Sequence, residues 1–262
     1  MIENICTNIS PLEYKLINVF FPGPFTIILN RKDIVPNIVT GNSNTVGVRI
    51  PDNEVTKKLI KLSNVPIAAP SANFSGKLSR TTFNDVYKDF SGVINYFIDD
   101  GDSKIGIEST IVQVVDDVVN ILRPGSITIE EIRKVHKNVI SGDFLLPSKN
   151  KKHYQLSSPS LLVYSSDNTK MVEKINSVAS SFKNPIIICS DENKVYYQNF
   201  NTMSYGSLNN LKQIASNLFL SLEEADSYEY DQIIIEGVSS SDLGFSIMNR
   251  LLYVCNFKFI NL

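Results

Sequence analysis

The sequence predicts an α/β protein built from two domains. The chain has 262 residues, of which 43% are hydrophobic and 20% are charged, which is typical of a globular protein with a sizeable core. From Leu161 onward, near-continuous apolar strands alternate with helices, which indicates a small parallel sheet covered on its faces. Between Val93 and Arg123 the predicted strands follow one another closely, which favours a mixed or antiparallel sheet with helices packed against it.

In the first part of the chain, periodicity and turn residues predict the elements. Residues 11–21 space their apolar side chains at helical intervals, and the prolines and glycine at 22–24 stop that helix. Two later helices begin with capping boxes, at Thr82 and at Thr128. A further helix is expected after Asn53. The predicted strands cover residues 25–29, 45–50, 65–69, 93–98, 109–115 and 118–123.

A polar segment at residues 141–160, basic in its middle and flanked by prolines, interrupts this pattern and is interpreted as a linker. The predicted domains are therefore residues 1–140 and 161–262. In the second domain the predicted strands are 161–164, 185–190 and 232–237, and the predicted helices are 170–182, 208–225 and 245–255.

Charge and cysteine content exclude several classes of protein. The net charge of −2 and the pI near 5.8 provide no broad basic surface for nucleic acid. The three cysteines lie far apart, which argues against a disulfide scaffold and fits a reducing compartment. The N-terminal residues do not resemble a signal peptide, so we expect a cytoplasmic protein.

We expect ligand-binding residues where small polar residues and arginines follow predicted strands. Residues 66–79 read PIAAPSANFSGKLS and could hold phosphate or carboxylate oxygens, although an ordinary surface loop has the same composition. Arginine at a strand end suits oxyanions, because its fork binds them bidentately, but a surface ion pair is the alternative. The polar residues at predicted strand ends are Arg49, Ser71, Asn73, Ser79, Ser109 and Arg123.

Other chemistries find little support in the sequence. With two histidines there is no plausible Cys–His or Ser–His–Asp set, and neither glycine-rich nucleotide motif occurs. Glu108 is compatible with a general base or with a solvated carboxylate. Asp99, Asp100 and Asp102 are compatible with a divalent ion or with an acidic turn, and we predict no metal site there.

Several stretches of the sequence, in a fixed order, carry a resemblance to a known family. They are FFPGPFTIIL (20–29), NTVGVRIP (44–51), PIAAPSANFSGKLSRTT (66–82), GIEST (106–110), ILRPGSIT (121–128), PSKNKKHY (147–154) and LGFSIMNRL (243–251). Together these stretches resemble the YrdC-like threonylcarbamoyl-AMP synthase family in its long, two-domain form, and the set is more specific than any one stretch alone. The resemblance implies a twisted, mixed YrdC-like sheet with flanking helices, followed by a small Rossmann-like parallel α/β domain.

The resemblance implies a nucleotidyltransferase that condenses L-threonine, bicarbonate and ATP to threonylcarbamoyl-AMP and diphosphate, usually with Mg²⁺. A downstream transferase system would then pass the threonylcarbamoyl group to tRNA. At positions that match the family's motifs, Arg49, Ala69 and Ser109 would bind threonine, and Arg49 would bind the carboxylate of the threonine. The residues implied to contact ATP are Thr45, Ser71, Asn73, Ser79, Arg123, His153 and Tyr154.

The chain also departs from the family pattern. The family's threonine-rich and basic phosphate-binding motifs have no counterpart, so the first domain is expected to lack an N-terminal part. Ser148, Gln155 and Leu156 replace residues that are usual in the linker. Two alternatives stay open: a non-catalytic tRNA- or RNA-binding or regulatory module with the same fold, and a carbamoyltransferase relative with another acceptor.

Overall fold

The computed structural model describes residues 1–142 and 156–262. Among these, residues 1–70 and 108–142 form one compact unit, and residues 71–107 and 156–262 form another. Residues 71–107, which the sequence assigns to the first domain, are thus grouped with the second unit. Much of the predicted linker at 141–160 lies outside the described residues, and the domain boundaries stay a prediction.

The elements of both units are numbered in chain order. The helices are α1 (Ile2–Ile5), α2 (Pro11–Phe20), α3 (Asn37–Thr40), α4 (Glu54–Ser63), α5 (Phe83–Phe90), α6 (Ile129–Val135), α7 (Asn168–Ala179), α8 (Leu211–Asp226) and α9 (Asp242–Val254), with a 3₁₀ turn at Lys194–Tyr197. The strands are β1 (Phe25–Asn30), β2 (Thr45–Val48), β3 (Thr110–Val115), β4 (Val118–Arg123), β5 (Val139–Ser141), β6 (Ser160–Tyr164), β7 (Pro185–Ser190), β8 (Asn201–Gly206), β9 (Gln232–Glu236) and β10 (Phe259–Asn261).

The first unit contains a mixed sheet in the order β2-β1-β3-β4-β5. β1 pairs antiparallel with β2 and parallel with β3, while β4 pairs antiparallel with β3 and parallel with β5. This confirms the mixed sheet that the close strand spacing predicts. β5 was not predicted, because three residues are too few to show a period of two.

One side of this sheet forms the core of the first unit. Alternate residues of β1, namely Phe25, Ile27 and Leu29, are essentially inaccessible, and α2 contacts β1. α2 begins with a complete capping box between Ser10 and Glu13, as expected before an apolar helical stretch. The intervening β1 residues are only half-buried. The sheet therefore has a covered side and a more accessible side, and the accessible side can hold a ligand.

The second unit contains a wholly parallel sheet in the order β10-β6-β9-β7-β8. Every residue of β7 and β9 is buried, as the continuous apolar runs predict. Helices α8 and α9 contribute to one apolar cluster and α7 to another, and both clusters include sheet residues. Leu78 and Ile107 join the first cluster, which explains why residues 71–107 belong to this unit.

A buried carboxylate lies at the end of the central strand β9. Glu236 is inaccessible to solvent and accepts hydrogen bonds from the Ser190 hydroxyl at 2.7 Å and the Tyr197 hydroxyl at 3.1 Å. Burial raises the pKa of Glu236, although these hydroxyl donors favour its charged form. The network ties β9 to β7 and to the 3₁₀ turn, and it satisfies polar groups that would otherwise be costly to bury.

Two predicted strands are absent from the described structure. Residues 65–69 are exposed and irregular, and residues 93–98 form only one isolated bridge, between Ser91 and Ile94. An apolar run forms a strand only if another strand pairs with it, and Pro66 and Pro70 remove two backbone donors from the first run. The predictions for 65–69 and 93–98 are therefore wrong. Two short strands of the second unit, β8 and β10, were not predicted.

The predicted helices all form, with ends that differ by a few residues. The Thr82 hydroxyl accepts from the backbone N–H of Asp85, and Thr128 and Glu131 form a reciprocal capping box. In the described part of the chain, no helix is long and apolar enough to cross a membrane. The cysteines, at positions 6, 189 and 255, are free and buried.

Candidate active site

Ser109 and Arg123 meet where β3 begins and β4 ends. Arg123 donates from Nε and Nη2 to the Ser109 carbonyl oxygen, at 3.2 and 2.9 Å, and from Nη2 to Ser109 Oγ at 3.1 Å. The antiparallel register places Arg123 opposite Ile111, two residues from Ser109. A bulge between Ile111 and Val112 shifts the pairing at this end, and bulges often re-aim side chains beside functional sites. The guanidinium is thus held in one orientation beside a buried hydroxyl.

The turn after Arg123 depends on close backbone approach at Gly125. A methyl group built on Gly125 would lie 2.4 Å from the Thr110 nitrogen and 2.5 Å from the Glu108 oxygen. These are backbone atoms of the segment that carries Ser109, and they cannot move without distorting β3. Glycine at this position therefore allows the chain after β4 to pack directly against the start of β3.

Arg49 lies just after β2 and is exposed, with its Nε against the turn at residues 22–24. This Nε donates to the carbonyl oxygen of Gly23 at 2.9 Å, and the Gly23 N–H donates to the Ile50 carbonyl at 2.8 Å. Partial desolvation beside this turn lowers the pKa of the Arg49 guanidinium. The next residue, Pro24, accepts from the Thr110 N–H at 3.0 Å. The turn at residues 22–24 therefore links Arg49 to the start of β3.

The remaining predicted residues of the first unit lie apart from these hydrogen bonds. Thr45 begins β2, and its hydroxyl is 2.8 Å from that of Ser43. Ala69 is exposed and lies in no element. The structure thus groups Arg49, Ser109 and Arg123 around two turns of one sheet, and leaves Thr45 and Ala69 outside their hydrogen bonds.

Three predicted residues belong to the second unit. Ser71 is exposed, and Ser79 is half-buried. Asn73 donates from Nδ2 to the carbonyl oxygens of Phe74 and Lys77, at 2.9 and 3.1 Å, so in the described structure it closes its own turn. His153 and Tyr154 lie outside the described residues.

Thr26 belongs to the same group and was missed by the sequence analysis. Its Oγ1 is 2.8 Å from Ser109 Oγ. The available signal was the period of two in β1: Thr26 lies between Phe25 and Ile27, so it faces the accessible side of the sheet. A polar residue on that side of an otherwise apolar strand is a candidate for ligand binding.

In the described part of the chain, the carboxylate side chains are not grouped so that they could bind a metal ion together. Asp99 accepts from the Gly101 N–H at 3.0 Å, which makes it part of a turn. Among residues 1–142 and 156–262, no group of three or more His, Cys, Asp or Glu side chains is arranged to hold a metal ion.

A mixed sheet with clustered hydroxyls and arginines on one unit, joined to a small parallel α/β unit, defines a two-part α/β protein with a candidate oxyanion site. A family model described as "Telomere recombination" matches residues 1–125, and one described as "Threonylcarbamoyl-AMP synthase, C-terminal domain" matches residues 127–252. The chain belongs to the threonylcarbamoyl-AMP synthase family, and it is therefore an enzyme of the nucleotidyltransferase type.

Known relatives support this family membership over most of the chain. The threonylcarbamoyl-AMP synthase of Pyrococcus abyssi is 35% identical over 257 residues, which cover 92% of this chain and 73% of the relative. That of Bacillus subtilis is 34% identical over 247 residues, which cover 90% and 71%. The crystal structure of P. abyssi Sua5 complexed with L-threonine matches with a TM-score of 0.91 and 34% identity, covering 100% of this chain and 78% of that one.

These matches confirm the family and the fold that the sequence motifs predict. The family models match residues 1–125 and 127–252, and they do not support the expectation that the first domain lacks an N-terminal part.

Proposed function

We propose that this protein makes threonylcarbamoyl-AMP from L-threonine, bicarbonate and ATP, with release of diphosphate. The observation that supports the proposal most strongly is the identity of 35% to a threonylcarbamoyl-AMP synthase over 92% of the chain. A second support is that a structural relative was crystallised with L-threonine.

For threonine, we infer that Arg49 binds the carboxylate and that Ser109 and Ala69 border the same pocket. The guanidinium of Arg49 can donate two parallel hydrogen bonds to a carboxylate. Its Nε already donates to Gly23, which limits the rotation of the side chain. The backbone carbonyl of Gly23 thus positions Arg49 before a ligand arrives, which lowers the entropy that binding would cost.

For ATP, we infer contacts from Thr45 and Arg123. Diphosphate leaves as a highly charged group, so a cation held in place before the reaction stabilises the charge that develops. Arg123 is such a cation, because Ser109 holds its guanidinium through three hydrogen bonds. The ATP contacts of Ser71, Asn73 and Ser79 stay predictions that rest on the sequence resemblance.

The proposal includes partners that follow from the reaction. Mg²⁺ would enter as the ATP complex, since the described residues form no cluster that fits a resident ion. The product is a reactive mixed anhydride, so a downstream transferase and tRNA would use it promptly. The three free cysteines are consistent with a reducing compartment such as the cytoplasm.

The test is an assay of purified protein for diphosphate release with ATP, bicarbonate, Mg²⁺ and L-threonine. We expect release that depends on each component, and a product with the mass of threonylcarbamoyl-AMP. D-Threonine in place of L-threonine is the matched control and should give only background. Diphosphate release that does not depend on threonine, or transfer of the carbamoyl group to another acceptor, would contradict the proposal.

A further inference from the structure

Thr26 lies on the accessible side of the first-unit sheet and contacts only one polar group of the candidate site. β1 pairs with β3 in a register that places Thr26 opposite Ile111. Its Oγ1 lies 2.8 Å from Ser109 Oγ. A methyl group built on Gly47 of β2 would come within 3.3 Å of Thr26 Cγ2, which is a tight contact, so Gly47 leaves Thr26 little spare room on this side. Thr26 is therefore closely confined beside Ser109.

The hydrogen bonds of Ser109 Oγ determine what it can offer a ligand. A serine hydroxyl has one donor hydrogen and two acceptor positions. Arg123 Nη2 donates to Ser109 Oγ at 3.1 Å and takes one acceptor position, because a guanidinium can only donate. The remaining donor and acceptor are divided between Thr26 and any ligand.

We propose that Thr26 is a positioning residue that donates its hydroxyl hydrogen to Ser109 and thereby makes Ser109 a hydrogen-bond donor toward the bound amino acid. With both acceptor positions of Ser109 filled by Arg123 and Thr26, only its O–H is left for the ligand. Ser109 then selects a ligand oxygen, such as a carboxylate oxygen, and disfavours a donor group at that point. This inference rests on the proposed function, in which Ser109 borders the threonine pocket.

The experiment is calorimetric titration of L-threonine into five variants and the unsubstituted protein. Thr26→Val removes the hydroxyl and keeps the shape, so we expect the Kd for L-threonine to rise by about 3- to 10-fold, the effect of one net hydrogen bond. Thr26→Ser keeps the hydroxyl and should restore most of the affinity. Thr202→Val, the same substitution on half-buried β8 of the other unit, is the control and should leave the Kd unchanged.

A double substitution distinguishes positioning from general loosening of the sheet. If Thr26 acts through Ser109, Thr26→Val combined with Ser109→Ala should bind L-threonine no more weakly than Ser109→Ala alone. Additive losses, or failure of Thr26→Ser to restore binding, would overturn the inference and leave the proposed function standing. If Ser109→Ala itself binds L-threonine normally, Ser109 is wrongly assigned to the threonine pocket and this inference fails, while the proposed synthase activity is still decided by the diphosphate-release assay.

Discussion

Replacing Arg123 with lysine should separate the geometry of this side chain from its charge. Both residues are cationic, but arginine presents several N–H groups in a plane and lysine presents one nitrogen. Arg123 uses two nitrogens to make three hydrogen bonds to Ser109. A lysine nitrogen in its place can donate at most to the carbonyl oxygen and to Oγ of Ser109, so the variant loses at least one of the three hydrogen bonds and the planar fork, while the net charge of the protein stays the same.

The expected magnitude follows from the burial of these groups. A hydrogen bond that involves a charged group contributes about 1.5–3 kcal/mol when buried, and less when solvent screens it. Arg123 is half-buried, and its partner Ser109 is buried. We therefore expect Arg123→Lys to lower the free energy of unfolding by about 1–3 kcal/mol in total. Because the lysine ammonium lacks the planar fork of the guanidinium, the affinity for ATP should also fall by about tenfold.

Urea unfolding and calorimetric titration with ATP measure these two effects. Arg133→Lys, on the exposed surface of α6, is the matched control and should change neither quantity. If Arg123→Lys unfolds at the same urea concentration as the unsubstituted protein, the hydrogen bonds to Ser109 contribute nothing to stability. If ATP affinity is also unchanged, the inferred role of Arg123 in binding is refuted as well.

Three further predictions concern other residues. Arg49→Lys should raise the KM for L-threonine more than that for ATP, because lysine loses the fork proposed to bind the carboxylate; equal effects on both substrates in steady-state kinetics would contradict this role. Gly125→Ala should lower the free energy of unfolding by about 1–3 kcal/mol, because its methyl group would overlap backbone atoms of β3; an unchanged urea midpoint would contradict the close packing. The pKa of Glu236 is raised by burial, so its contribution to stability falls as pH rises above the ordinary value of 4.5. Glu236→Gln should therefore gain stability relative to the unsubstituted protein as pH rises above 4.5, and a difference independent of pH in urea unfolding would show that the pKa of Glu236 is not raised by folding.

Local chemistry in the sequence was enough to predict most elements. The predicted caps at Thr82 and Thr128 begin helices because the groups that pair there are only three residues apart. The apolar runs of β7 and β9 predict buried parallel strands, since only a sheet covered on both faces has room for uninterrupted apolar residues. The motifs around Arg49, Ser109 and Arg123 also indicated candidate site residues, because the turn residues in each motif mark the end of a strand and so place a polar side chain there.

Pairing between distant segments could be decided only by the tertiary structure. The apolar run at 65–69 has the composition of a strand and forms none, because a strand requires a paired neighbour that its own sequence does not specify. The contact between Thr26 and Ser109 joins residues 83 positions apart, so no local pattern contains it. Ser109 and Arg123 were separate candidates in the sequence. The register of β3 with β4 brings them together, and a bulge between Ile111 and Val112, which is a property of the folded chain, shifts that register at this end.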